Sequence, residues 1–131
     1  MKAITIWQPW ASLIMAGIKH IETRPRNTCI RGRIVIHAGA NGHWLQSPTP
    51  EIRRYTRGGE PLGCILGTVD LIDCIPLEDM PEKYPHLYTP REIDLGDWSP
   101  GRYGLILRDP IVYPNPMPAK GKQGWWNWGA E

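Results

Sequence analysis

Phenylalanine is absent from this 131-residue chain, cysteine occurs three times, and the formal net charge is only +2. Three cysteines without paired spacing exclude a disulfide framework. With no CxxC, no HExxH and histidines scattered at His20, His37, His43 and His86, neither a metal site nor a metal cofactor is expected. No apolar run approaches the roughly 18 residues of a membrane span, and no charged-then-apolar start marks secretion. The expectation is therefore a cytoplasmic chain with no membrane partner. Internal repeats are missing, as are glycine-rich phosphate loops of the P-loop or dinucleotide type, so no cofactor of those classes is expected. The small net charge excludes strong nonspecific attraction to polyanions by bulk electrostatics.

What is present is unevenly placed. From Lys19 to Arg57 run Lys19, Arg24, Arg26, Arg31, Arg33, Arg53, Arg54 and Arg57 against only Glu22 and Glu51. From Asp73 to Asp97, seven acids face only Lys83 and Arg91. Such segregation suggests a basic face able to meet phosphates, and arginine suits bidentate contacts to them; a merely soluble, mixed surface is the plainer alternative. Seven tryptophans carry most of the aromatic surface. Indole both packs and stacks on nucleobases. Trp7 and Trp10 are the ligand candidates, whereas Trp125, Trp126 and Trp128 are expected to fold back over the sheet.

At this length one domain, residues 1–131, is expected. Ala3 to Trp7 reads as a strand, Arg33 to Ala38 as a buried strand ending in a hydrogen-bonded core histidine, His37, and Thr49 to Arg57 as a short capped helix. Gly63 to Cys74 is the longest apolar run and reads as a central strand, with Gly67 at a bulge or close approach. Ile75 to Pro100 is acidic and proline-punctuated, an excursion over the surface with at most one short helix, capped by Thr89. Tyr103 to Leu107 and Ile111 to Tyr113 read as separate extended pieces. Pro114, Pro116 and Pro118 then lead to a flexible basic turn at Lys120-Gly121-Lys122. The sum is a mostly β chain with some α (α+β), a small, mainly antiparallel β-barrel of about five or six strands with one or two short helices.

The chemistry gathers in Trp7–Arg24. Pro9 opens a helix whose apolar positions Trp10, Leu13, Ile14 and Gly17 share a face, and Gly17 ends it. The chain is then released into Lys19-His20-Ile21-Glu22-Thr23-Arg24. If that hexapeptide is extended, Lys19 and Glu22 lie on opposite faces; a turn before Ile21 brings them together. Spacing admits both. Asp70, between Val69 and Leu71, either faces water or needs a cation beside it.

Gln8-Pro9-Trp10-Ala11, then Gly17-Ile18-Lys19-His20-Ile21-Glu22-Thr23-Arg24, then Ile65-Leu66-Gly67-Thr68-Val69-Asp70-Leu71 together resemble the activating-signal-cointegrator homology (ASCH) family. Tyr103 to Leu107 and Pro118-Ala119-Lys120-Gly121 fit as well. The resemblance implies a PUA-like β-barrel with a cleft beside the first helix that binds RNA or a nucleotide. Some relatives are enzymes, acetylcytidine amidohydrolases and a ribonuclease. In the amidohydrolase pattern a lysine base is followed three residues later by a threonine nucleophile, with a carboxylate on a later strand. Lys19 and Asp70 stand at the first and third positions, Glu22 at the threonine position and Thr23 one later.

Three readings follow. In a binding module, Trp7, Gln8, Trp10, Arg24, Arg26, Arg53, Arg54 and Lys120 hold phosphate and base, with single-stranded RNA or a modified nucleoside as partner. In a metal-independent hydrolase, an acylcytidine amidohydrolase or a ribonuclease, Lys19 or Glu22 is the general base acting on water or on Thr23, and Asp70 orients the ammonium or accepts a proton. In a protein-interaction domain the cleft is vestigial and the partner is another protein. Both chemical readings expect Lys19, Glu22 and Asp70 to form one coupled site.

Overall fold

A computed structural model describes residues 1–41 and 60–129. The strands β1 (Lys2–Ile6), β2 (Ile21–Arg24), β3 (Gly32–Ala38), β4 (Cys64–Pro76), β5 (Tyr103–Pro118) and β6 (Trp125–Asn127) form one six-stranded sheet, ordered β2-β5-β4-β3-β1-β6. Neighbours run antiparallel except β1 and β3, which are parallel. The sheet curls into a half-barrel. Three short helices, α1 (Trp10–Met15), α2 (Met80–Lys83) and α3 (Pro90–Asp94), and a 3-10 turn at Leu77–Asp79 complete the described residues. The strand number meets the expectation and the helix number exceeds it. The expected helix from Thr49 to Arg57 lies outside the described residues.

Strand β4 is the spine of the sheet. Cys64 to Val69 are buried without alternation, as a strand covered on both faces must be. Its register against β5 shifts between Ile65 and Gly67. A Cβ on Gly67 would run into the Ile111 carbonyl and the Met15 methyl, so glycine is what lets α1 and β5 close on β4. Helix α1 buries Ala11, Leu13, Ile14 and Met15. Of these, Ala11, Ile14 and Met15 join Ile34, Ile36, Val69, Leu71, Leu105 and Leu107 in the main core.

Two expectations need correction. Tyr103 to Pro118 is one strand of 16 residues, not separate pieces; its prolines loosen the ladder, and the register breaks locally instead of ending the strand. Nor is Ile75 to Pro100 only a surface excursion. Leu77, Met80 and Leu95 are buried there, and Leu77 and Met80 pack with Ile21 and Ile106 in a second core. The apolar residues in this stretch come singly between charges and leave no periodic trace in the sequence. The carboxyl-terminal tail behaves as anticipated: β6 pairs with β1, and Trp126 is buried.

Candidate functional site

A half-barrel has two edges, here β2 and β6, with β1 beside β6. Between the β2 edge, the end of β1 and residues 119–124 lies a cleft of about 640 Å³. It lies along the seam that the sheet leaves unclosed. Trp7, Trp10, Glu22, Thr23 and Arg24 line it together with His37, Arg102, Lys120 and Lys122.

The β2 wall is set by the end of α1. Gly17 adopts φ +75°. Its N–H donates to Ile14 O at 3.1 Å and that of Ile18 to Leu13 O at 3.0 Å, the paired bonds of a Schellman cap. The chain turns there, β2 begins only at Ile21, and Lys19 is directed inward. Of the two conformations open to the hexapeptide, the turn is the one adopted. Lys19 is 2% exposed. Its ammonium donates to Ile21 O and Leu95 O, each at 2.6 Å, and lies 3.8 Å from a Glu22 oxygen and 5.9 Å from the Trp10 ring centre. Burial pushes the Lys19 pKa below its ordinary value, while Glu22 and Glu92 act in the opposite direction.

Glu22 and Arg24 project from β2 into the cleft. The Arg24 Nε donates to Glu22 Oε2 at 3.1 Å, and Nη2 donates to Thr5 O at 2.9 Å, so arginine bridges the seam from β2 to β1. Arg102 donates to Thr23 O at 3.0 Å and to Asp97 O at 3.1 Å. Since His20 O accepts from Leu107 N on the β5 side, alternation along the strand turns Ile21 O and Thr23 O toward the free edge. Lys19 and Arg102 cap these two edge carbonyls, which blunts β2 against pairing with another strand.

The opposite wall is clamped from beneath. Ala119 O can only accept, so the His37 proton sits on Nε2, 2.7 Å away. Nδ1 then accepts from the Thr5 hydroxyl at 3.1 Å, and that hydroxyl accepts from the Trp126 indole N–H at 3.0 Å. Every polar atom in this network is satisfied. A Cβ on Gly121 would lie 2.5 Å from Thr5 Oγ1 and 2.6 Å from His37 Nδ1. The backbone of the Lys120-Gly121-Lys122 turn is therefore seated directly on Thr5 and His37 at its glycine.

The ASCH domain family model matches residues 4–115. The chain belongs to the ASCH domain family. It is similar to activating signal cointegrator 1 of Homo sapiens (32% identity) and of Mus musculus (31%), in each case over 94% of this chain and 21% of that protein. The chain thus spans about a fifth of the length of these relatives. Among solved structures, ASCH from Zymomonas mobilis superposes with a TM-score of 0.56 at 19% identity, covering 89% of this chain and 72% of that one.

Within this ASCH domain the sequence-derived candidates divide. Trp7, Trp10, Glu22, Thr23, Arg24 and Lys120 meet in one cleft. Gln8 does not face it. Fully buried, it accepts from Ser12 N at 2.9 Å and donates to Ser12 Oγ at 2.7 Å and Pro61 O at 3.0 Å, which secures the start of α1. Arg26 is exposed beyond the end of β2 and is not part of the lining. Arg53 and Arg54 lie outside the described residues.

Asp70 stands apart from Lys19 and Glu22, which corrects the expected three-way site. Val69 and Leu71 are buried, so the pleat directs the residue between them to the other face of β4. Its register neighbours there are Arg33 and Arg108. The second carboxylate acting on Lys19 is Glu92, 3% exposed, whose Oε1 accepts from His20 N at 2.7 Å and lies 2.8 Å from His20 Nδ1. Sequence reasoning missed Glu92, Arg102 and Lys122. Thr89-Pro90-Arg91-Glu92 has the spacing of a capping box, and Thr89 does cap α3, but the glutamate turns away to His20.

Proposed function

We propose that this ASCH domain binds single-stranded RNA or a nucleotide in the seam cleft. One observation carries the reading: among the described residues, two indoles, Trp7 and Trp10, share the cleft with four cationic side chains, Arg24, Arg102, Lys120 and Lys122, around one carboxylate. Indoles offer stacking faces that accept any unpaired base, and the cations suit the phosphates that connect bases. A cleft of about 640 Å³ also falls within the range of small-molecule sites.

The hydrolase alternative draws less support. Of its two candidate bases, Lys19 already donates to Ile21 O and Leu95 O and is absent from the cleft lining, and Glu22, which does line the cleft, already accepts from Arg24 Nε at 3.1 Å. The experiment is a titration of tryptophan fluorescence with short single-stranded RNAs and mononucleotides at several salt concentrations. Binding should quench the signal, weaken with salt, and be lost in Trp7→Ala together with Trp10→Ala. Undiminished binding in that double variant would refute the cleft as the site.

A further inference from the structure

Resting on that nucleotide-binding reading, we propose that Glu22 reads the base edge and selects a base that presents amino hydrogens, guanine foremost, over uracil. Glu22 is the sole acidic side chain among the described residues lining the cleft. A carboxylate set among cations opposes the entry of phosphate, so its place there calls for a ligand group of the opposite kind, a hydrogen-bond donor. It is also held in position. Oε2 accepts from Arg24 Nε at 3.1 Å, and Oε1 lies 3.8 Å from a Lys19 ammonium that two 2.6 Å bonds fix from behind. The side chain is 12% exposed, which leaves it one open approach, from the cleft.

A carboxylate offers about four lone-pair sites and no proton, so each Glu22 oxygen keeps acceptor capacity after these contacts. Guanine presents N1–H and N2–H side by side and can engage both oxygens. Cytosine and adenine offer one amino group each. Uracil offers a single N–H between two carbonyl oxygens, and turning those toward a carboxylate sets acceptor against acceptor. Trp7 and Trp10 lie in the same cleft and supply stacking without choosing among bases. Selection then falls to Glu22.

The test is a set of titrations of the full chain with GMP, CMP, AMP and UMP at one ionic strength, in wild type and Glu22→Gln. Wild type is expected to bind GMP about tenfold more tightly than UMP, the order of discrimination of one well-formed base-edge contact. Glutamine both donates and accepts, so Glu22→Gln should narrow that gap by gaining UMP and losing GMP. Equal wild-type affinity for all four nucleotides would overturn base reading and leave the nucleotide site standing. An equal gain for all four in the variant would reduce Glu22 to a local charge and also overturn it. Failure of every nucleotide to bind wild type would overturn the proposal, and failure of short single-stranded RNAs as well would remove the reading beneath it. If the variant does not fold, the wild-type order of affinities decides alone.

Discussion

The two walls of the cleft carry similar charges under different conditions. On the β2 wall, Arg24 and Arg102 are bound to Glu22, Thr5 O, Thr23 O and Asp97 O. On the opposite wall, the side chains of Lys120 and Lys122 have no partner among the described residues, and the Gly121 backbone between them packs against Thr5 and His37. The first wall resembles a template whose groups are oriented before a ligand arrives; the second offers point charges on flexible stems over an immobile base. Orientation on one side and attraction on the other is a division suited to a ligand with a base and a phosphate.

The largest effect should come from removing the support of the lysine wall. Trp126→Ala empties a buried indole site and deprives Thr5 Oγ1 of its donor, with an expected loss of about 3–5 kcal/mol in urea unfolding. A wild-type melting temperature in that variant would show that the tail does not hold this wall. On the other wall, Lys19→Met would leave Ile21 O and Leu95 O without their donor and remove one of the two cations beside Glu22, at an expected loss of about 3 kcal/mol at neutral pH. Its pH dependence has a definite sign. The folded pKa of Lys19 lies below the ordinary 10.5, so between those two values the unfolded chain binds more protons, and the wild type gains stability as pH rises through that window. Lys19→Met should lack that rise; parallel pH profiles for the two proteins would remove the argument.

Two smaller effects concern ligand affinity. Gly121→Ala would push the 119–124 segment off His37 and Thr5, and about a tenfold loss of RNA affinity is expected if the lysines work only from that seat. A stability change without an affinity change would show that their placement is immaterial. Replacing Lys120 and Lys122 together by alanine should weaken all RNA sequences alike and reduce the dependence of log affinity on log salt by about 0.7 per lost phosphate contact in single strands. An unaltered salt slope would mean that these ammonium groups stay in solvent.

Much of this was legible in the residues. Gly17 announced the helix end, the β-branched density of Gly63 to Cys74 announced the central strand, and Trp7, Trp10, Glu22, Thr23 and Arg24 lie within a segment short enough that local geometry alone brings them close. His37 was legible as a core histidine because it ends a buried strand. What stayed hidden lay far along the chain: Glu92, Arg102 and Lys122 reach the site only because β5 pairs with β2 and the tail returns to β1. The inference that joined Asp70 to Lys19 failed for a related reason.

The sequence by itself determined that Ala3–Trp7, Arg33–Ala38 and Gly63–Cys74 hold strands and where α1 ends, because these depend on side-chain period, β-branching and glycine conformations that act over a few residues. Only the tertiary structure decided which carboxylate neighbours Lys19, which cations line the cleft, and that Gln8 serves the helix and not the ligand. Those are properties of strand order and pleat direction: one residue along β4 turns a side chain to the opposite face, and no local pattern records what lies there.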